Sequence, residues 1–140
     1  MSYSLNKLNT IAGTLLSKHG NCRFWFLDGD LGVGKTAMVK ALCSRLGVQE
    51  EVSSPTFTIV NLYHGAGGIV VSHVDLYRIE SDAELCALDL GYYFDASRYC
   101  FVEWASKHMC ALQSLKPRVQ LSIKSGEGLF SRNIDCSCVD

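Results

Sequence analysis

The sequence predicts an α/β fold in which helices flank a mixed β-sheet whose C-terminal strands are antiparallel. Two observations predict it. Short apolar runs typical of buried strands alternate with segments of helical periodicity as far as residue 104, and apolar and polar residues alternate in two later segments, 118–124 and 129–138. Because the chain has 140 residues and no visible linker or repeat, we interpret it as one domain, 1–140.

The first half of the chain predicts two helices, a strand and a hairpin. Segment 1–20 is interpreted as an amphipathic helix because one of its faces carries Leu5, Leu8, Ile11, Ala12, Leu15 and Leu16. Residues 22–27 form an aromatic-rich run typical of a buried strand, and 37–46 has helical spacing that Gly47 ends. Two β-rich runs, 58–63 and 69–75, flank a glycine-rich turn and predict a hairpin.

The second half predicts one more helix and three strands. Ser81 and Glu84 have the spacing of a capping box at a helix start, and Gly91 predicts the end of that helix. Residues 99–104 are typical of a buried strand. The two alternating segments that follow predict half-exposed antiparallel strands.

Composition limits the classes of function. Thirteen basic and 14 acidic residues give a net charge of −1, which supplies no global positive field for nucleic acid. We therefore expect no DNA binding, and any role toward RNA would be indirect or rest on a local patch. The N-terminal segment resembles neither a signal peptide nor a membrane span, and we expect a cytoplasmic protein without a membrane partner. The seven cysteines lack metal-ligand spacing and are interpreted as small buried apolar residues in a reducing compartment.

The segment GDLGVGKT, residues 29–36, matches the pattern of a phosphate-binding loop between a strand and a helix. Its glycines permit backbone conformations that turn successive N–H groups toward an anion at the helix N-terminus. Lys35 supplies a mobile cation for phosphates, and the Thr36 hydroxyl suits Mg²⁺. A plain glycine-rich turn is the alternative. Because the motif and its strand–loop–helix context agree, we predict a P-loop NTPase-like fold in which the loop binds a nucleotide. The predicted binding residues are Gly29, Asp30, Leu31, Gly32, Val33, Gly34, Lys35, Thr36 and Ala37.

Two carboxylates follow apolar strands and are candidates for work on Mg²⁺ or water. Asp75 ends one strand and Glu103 another, at the strand ends where ligands of open α/β sheets gather. The alternative for each is a solvated or helix-capping carboxylate. Thr56, in the segment SSPTF, is either a sensor of the terminal phosphate or part of a proline-containing turn. His73 is interpreted as a core histidine.

Four segments in this order, GDLGVGKT, SPTFTIVNLYH, HVDLYRI and VEW, closely resemble the bacterial TsaE (YjeE) family. The resemblance runs from the N-terminal helix to Trp104 and weakens in the last third. It implies a single-domain P-loop ATPase that hydrolyses ATP with Mg²⁺, joins the TsaB–TsaD heterodimer and resets that complex during threonylcarbamoyladenosine modification of tRNA. The family does not itself transfer the threonylcarbamoyl group.

The resemblance also implies roles for individual residues. Lys35 and Thr36 match the phosphate-loop lysine and the Mg²⁺-binding threonine of the family, and Glu103 matches its Mg²⁺-ligating carboxylate. Lys35, Asp75 and Thr56 are the implied catalytic residues, with Asp75 matching the acid of the DLYR segment. Trp104 matches an aromatic residue near the nucleotide, although by strand alternation alone it faces away from Glu103 unless the strand ends there. The resemblance does not identify the adenine pocket, for which Arg132 and the region around Ser4 are the candidates. Ala105 and Ser106 depart from the proline and acidic residue that often follow in the family.

Two other classes of function fit a phosphate loop less well. A small-molecule P-loop kinase needs several arginines in a lid, yet Arg98 is the one arginine between residues 91 and 103 of the sequence. A GTP-dependent switch usually carries an Asn-Lys-x-Asp segment after a late strand, and the sequence has Asn-Lys only at Asn6 and Lys7. ATP is therefore the predicted nucleotide, and the kinase is the alternative function.

Overall fold

The structure, a computed structural model, describes residues 1–55 and 57–140. These residues form an α/β fold with a seven-stranded sheet. The strands are β1 (Ser2–Ser4), β2 (Phe24–Asp28), β3 (Val60–His64), β4 (Val70–Asp75), β5 (Tyr99–Glu103), β6 (Arg118–Ser125) and β7 (Ser131–Val139). The α-helices are α1 (Leu8–His19), α2 (Lys35–Arg45), α3 (Asp82–Ala87), α4 (Leu90–Ala96) and α5 (Met109–Leu112).

The sheet is mixed, with strand order β1-β7-β6-β2-β5-β4-β3. Strand β2 pairs in parallel with β5 and β6, and β4 pairs in parallel with β5. The pairs β3–β4, β6–β7 and β1–β7 are antiparallel. The predicted mixed sheet with antiparallel C-terminal strands and the predicted hairpin are therefore confirmed. The parallel centre brings the carboxyl ends of β2, β4 and β5 to one edge of the sheet.

Two apolar clusters cover the two faces of the sheet. In β2, Trp25 and Leu27 pack with α1 and α2, whereas Phe24 and Phe26 pack with α3, α4 and α5. This division follows from the alternation of side chains along a strand. Every residue of β5 is buried, which explains why the two central strands appear in the sequence as continuous apolar runs.

Two sequence-based boundaries are wrong. Helix α1 begins at Leu8, because residues 2–4 form an edge strand that pairs with β7 and buries Tyr3. The helix that opens at Ser81 ends at Ala87, before the left-handed Asp89 (φ 51°), and α4 then runs through Gly91. The predicted cap at Ser81 is confirmed, since its hydroxyl oxygen accepts a hydrogen bond from the Glu84 amide at 3.2 Å.

Among the helices of the described residues, none combines the length and the apolar character needed to cross a membrane.

Candidate functional site

The loop between β2 and α2 packs tightly at its start and needs glycine there. Gly29 has φ 153°, and a Cβ at this position would lie 2.5 Å from the Ile123 carbonyl oxygen and 2.7 Å from Val33 Cγ1. At the other end, Gly34 is left-handed (φ 116°) and is the N-cap of α2, with no side chain capping the helix. The loop therefore presents the start of α2 to the cleft, as an anion site at a helix N-terminus requires.

Lys35 is buried at the base of this loop. Its Nζ donates hydrogen bonds to the carbonyl oxygens of Gly29 at 2.6 Å and Asp30 at 2.9 Å, and it lies 4.0 Å from the centre of the Trp104 ring. Burial lowers the pKa of Lys35, and the negative charges of Glu103 and Asp75 are the largest influences that raise it. The ammonium thus donates its hydrogen bonds to carbonyl oxygens of the loop itself, at a place where a phosphate would be a stronger acceptor.

Thr36 and Glu103 meet across the cleft. Thr36 lies in the first turn of α2, and its hydroxyl is 3.1 Å from Glu103 Oε1 and 3.0 Å from Oε2. Glu103 ends β5 and is only 2% exposed. One hydroxyl and one carboxylate at the edge of the predicted phosphate loop are a donor set of hard oxygen ligands, which fits Mg²⁺.

His73 also contacts Glu103, through Nε2 at 2.5 Å from Oε2. The prediction of a core histidine is confirmed, since the side chain is fully buried, but sequence reasoning missed this contact. Only part of the signal lies in the sequence: His73 precedes Asp75 by two residues and therefore shares its face of β4. The register that pairs Asp75 with Glu103 is known from the structure alone.

Asp75 has both local and cleft contacts. Its Oδ1 accepts a hydrogen bond from the Tyr77 amide at 2.9 Å, and its Oδ2 accepts one from the Ser54 hydroxyl at 3.0 Å. The first contact closes a local turn. It is not the helix cap given as the alternative, because the next helix starts at Asp82 and Ser81 caps it. The second brings the segment that contains Ser54 to the cleft. Thr56, predicted in this segment, lies outside the described residues.

Trp104 faces the cleft because β5 ends at Glu103. Its backbone is left-handed (φ 64°), which breaks the strand alternation, and its ring packs on Tyr77 with 4.9 Å between centroids. A cleft of about 210 Å³ gathers these groups. Its lining residues are Leu31, Gly32, Gly34, Lys35, Thr36, Ala37, Ser54, Asp75, Glu103 and Trp104.

Four predicted nucleotide residues do not line this cleft: Gly29, Asp30, Val33 and Arg132. Arg132 instead braces the loop, since its Nε donates to the Val33 carbonyl oxygen at 2.8 Å. Of the two positions that depart from the family pattern, Ala105 is buried in the core, and the Ser106 amide donates to Asp28 Oδ1 at 3.0 Å.

The cysteines differ in burial, although all seven were predicted to be buried. Cys43 and Cys100 are buried, and burial raises the pKa of each thiol to about 12. Four others are exposed, which corrects the interpretation of all seven as core residues: Cys86, Cys110, Cys136 and Cys138. Within residues 1–55 and 57–140, no three or more His, Cys, Asp or Glu side chains are grouped so that they could hold a metal ion.

The family model described as "Threonylcarbamoyl adenosine biosynthesis protein TsaE" matches residues 2–134. The chain belongs to the TsaE family. A relative named tRNA threonylcarbamoyladenosine biosynthesis protein TsaE from Bacillus subtilis is 42% identical over 98 residues, which cover 70% of this chain and 59% of the relative. Its Treponema pallidum counterpart is 32% identical over 81% of each chain. The matched regions thus span 59% of the Bacillus TsaE and 81% of the Treponema TsaE.

A solved structure supports the same grouping. The crystal structure of YdiB from Bacillus subtilis superposes with a TM-score of 0.76 at 29% sequence identity, covering 100% of this chain and 86% of YdiB. The P-loop NTPase-like α/β fold of this TsaE-family chain is therefore confirmed. The match includes β6 and β7, where the sequence resemblance to TsaE proteins was weakest.

Proposed function

We propose that this chain is a Mg²⁺-dependent ATPase that assists tRNA threonylcarbamoyladenosine biosynthesis by acting on a TsaB–TsaD complex. The observation that carries the proposal is the convergence of Lys35, Thr36 and Glu103 on one cleft at the start of α2. Membership of a family described by this biosynthesis supports the pathway. The role implies action in the cytoplasm.

The loop residues would bind the phosphates of ATP. The cleft is lined by Gly32, Gly34 and Lys35, so the loop backbone at the start of α2 and an ammonium border the same space. Lys35 would exchange its contacts with the carbonyls of Gly29 and Asp30 for phosphate oxygens. Trp104 lies against this ammonium and would border the nucleotide.

Thr36 and Glu103 would hold Mg²⁺ through their oxygens. The ion, when bound, supplies positive charge that offsets the negative charge of the phosphates during transfer to water. The Thr36 hydroxyl donates to the Glu103 carboxylate, and this contact keeps both groups at the cleft. Lys35 and the loop N–H groups fix the phosphate chain beside them.

Asp75 would orient the attacking water or a water bound to the metal. It lines the same cleft as Thr36 and Glu103, and its hydrogen bond from Ser54 fixes one carboxylate oxygen there. Thr56 would act in the same segment as a contact for the terminal phosphate. Arg132 would act by bracing the loop, and its contact with adenine remains a prediction.

Exposed apolar residues at the cleft support a protein partner. Leu31 lines the cleft while 72% exposed, and Tyr77, beside Trp104, is 47% exposed. Leu31 and Tyr77 also line one neighbouring cleft together with Trp104. Contiguous exposed apolar surface marks interaction sites, whereas single exposed side chains do not. The net charge of −1 favours a protein partner and an indirect relation to tRNA.

The structure disfavours the kinase alternative. Arg98, the one arginine between residues 91 and 103 of the sequence, donates from Nη2 to the Gly20 carbonyl oxygen at 2.8 Å, near the amino end of β2. The phosphate loop is at the other end of that strand. Arg98 is therefore not placed to clamp a phosphoryl group.

A phosphate-release assay tests the proposal. ATP and GTP are compared with and without TsaB–TsaD, and Lys35→Ala is the negative control for contaminating ATPase. We expect release from ATP that requires Mg²⁺ and rises with TsaB–TsaD. Release that persists in Lys35→Ala, a preference for GTP, or a requirement for a small-molecule phosphate acceptor would contradict the proposal.

A further inference from the structure

We infer that His73 is a positioning residue for Glu103, holding this carboxylate ready for the metal ion. The inference rests on the proposed function, since it concerns the same Mg²⁺ site. Its basis is the contact of His73 Nε2 with Glu103 Oε2 at 2.5 Å, in a part of the core where both side chains are buried. The sequence pattern predicts a buried residue at this position of β4, but it does not explain why that residue is a histidine.

The hydrogen bonds around Glu103 define which atom of His73 carries a proton. A carboxylate accepts hydrogen bonds, so the contact with Oε2 requires His73 to donate from Nε2. Thr36 approaches both oxygens of the same carboxylate. Two donors from different elements, β4 and α2, therefore fix the carboxyl group at the end of β5.

The other nitrogen of His73 shows that this arrangement is not simply good packing. Among the described side chains, His73 Nδ1 is the one buried nitrogen or oxygen without a hydrogen-bond partner. Burying an unpaired polar atom is unfavourable, and an apolar side chain at this place would avoid the penalty. The unpaired Nδ1 of the imidazole therefore lowers the stability of the fold, whereas Nε2 makes one specific contact.

The neighbouring strands hold the ring in place. His73 pairs with Phe101 across the β4–β5 ladder, and the Tyr63 ring lies 6.3 Å away on the β3 side. Tyr63 is itself tied down, since its hydroxyl donates to the Ser53 carbonyl oxygen at 3.2 Å. A ring held in this way can fix the orientation of a metal-binding carboxylate, as histidine–carboxylate pairs beside metals do.

The test compares substitutions that differ in one contact. Glutamine at position 73 has an amide at the distance of Nε2 and can donate to Glu103, whereas the asparagine amide is one methylene shorter. Phenylalanine keeps the ring and has no donor. His73→Gln, His73→Asn and His73→Phe are compared with the parent by calorimetry of ATP binding, in EDTA and across a series of Mg²⁺ concentrations.

We expect ATP binding in EDTA to match the parent in every folded variant. In His73→Asn and His73→Phe, the Mg²⁺ concentration for half-maximal enhancement of ATP binding should rise by about 10–100-fold, the usual effect of losing a residue that orients a metal ligand. His73→Gln should restore most of this loss. If one of the two disruptive variants does not fold, as judged by its melting transition, the other still provides the comparison with glutamine.

Two results would overturn the inference. One is parent-like Mg²⁺ dependence in the asparagine and phenylalanine variants, and the other is a loss in glutamine as large as in asparagine. Glu103→Gln separates these results from failure of the proposed function. If the parent shows Mg²⁺-enhanced ATP binding that Glu103→Gln weakens, the metal site stands and only the role of His73 falls. If the parent shows no Mg²⁺ enhancement, the metal site and the role of His73 both fall.

Discussion

The Thr36 hydroxyl lies 3.0 and 3.1 Å from the two carboxylate oxygens of Glu103, although 67 positions separate these residues in the chain. The parallel pairing of β2 and β5 explains the contact. Thr36 follows the loop that leaves β2, and Glu103 ends β5, so both lie at the same edge of the sheet. The strand pairing of the sheet thus assembles the candidate metal site from two segments that are distant in the sequence.

Glu103→Gln and Thr36→Val should reduce Mg²⁺-dependent ATP hydrolysis while leaving the fold intact. The amide keeps the shape of Glu103 and removes the charge that holds the ion, and valine removes the hydroxyl ligand. Hydrolysis is measured across Mg²⁺ concentrations, with exposed Glu80→Gln as the matched control. Parent rates and ordinary Mg²⁺ dependence in both site variants would place the metal elsewhere.

Lys35→Ala should abolish hydrolysis and weaken ATP binding by about 2–5 kcal/mol, the range for losing a buried charge-assisted contact. The reason is that Lys35 is the buried ammonium at the base of the phosphate loop. Calorimetry with ATP measures the change. Lys40→Ala, at an exposed position of the same helix, is the control and should bind as the parent does. Unchanged ATP affinity in Lys35→Ala would remove the loop assignment.

Asp75→Asn should bind ATP almost as the parent does but fail in hydrolysis stimulated by TsaB–TsaD. A group that orients water acts mainly in the transition state, so ground-state affinity is spared. The alternative, a side chain that only closes a local turn, predicts normal turnover with a stability loss of about 0.5–2 kcal/mol, as for a lost capping contact. ATP affinity, melting temperature and hydrolysis are measured together, with exposed Asp95→Asn as the control. Lower stability with normal hydrolysis would leave Asp75 with the turn contact alone.

Gly29→Ala should disrupt the phosphate loop, whereas Gly91→Ala should not. The added methyl group at position 29 would lie 2.5 Å from the Ile123 carbonyl oxygen, in a backbone conformation that side chains rarely adopt. At position 91 it meets nothing within 4 Å, and alanine in a helix is favoured over glycine by about 0.5–1 kcal/mol. Melting temperatures and ATP affinities test the pair. Equal effects of the two substitutions would contradict the close packing of Gly29.

The free energy of unfolding should fall between about pH 9 and pH 12. Burial raises the pKa of Cys43 and of Cys100 from the ordinary value of 9.0 to about 12, so in this interval the unfolded chain loses thiol protons that the folded chain retains. Each thiol should lower stability by about 1.4 kcal/mol per pH unit there. Urea titrations at several pH values measure the slope. Cys43→Ala should make it shallower, and an unchanged slope would show that Cys43 does not contribute.

The central part of the fold was predictable because its strands are buried on both faces. Residues of β2 and β5 therefore had to be apolar almost without interruption, and such runs are visible in a sequence. The three residues of β1 were not visible, since Ser2–Ser4 is too short for a period and its partner lies near position 132. The break between α3 and α4 depends on the left-handed backbone of Asp89, a local conformation that apolar spacing does not report.

The site was predictable where a motif or a strand end identifies a residue. The segment GDLGVGKT located Lys35 and Thr36, and the ends of apolar strands located Asp75 and Glu103. Roles that depend on the direction of a side chain were harder to predict from the sequence. His73 appeared as core, and its contact with Glu103 depends on the pairing of β4 with β5. Trp104 faces the cleft only because the strand ends one residue earlier.

Asp75 and Glu103 are register partners on β4 and β5, and each of these strands has a hydrogen-bonded neighbour on both sides. Sliding one acid past the other would break a strand ladder. The sheet therefore fixes the spacing of the two acids. For an engineer, this separates two tasks, since the loops around the acids can be varied without redesigning that spacing.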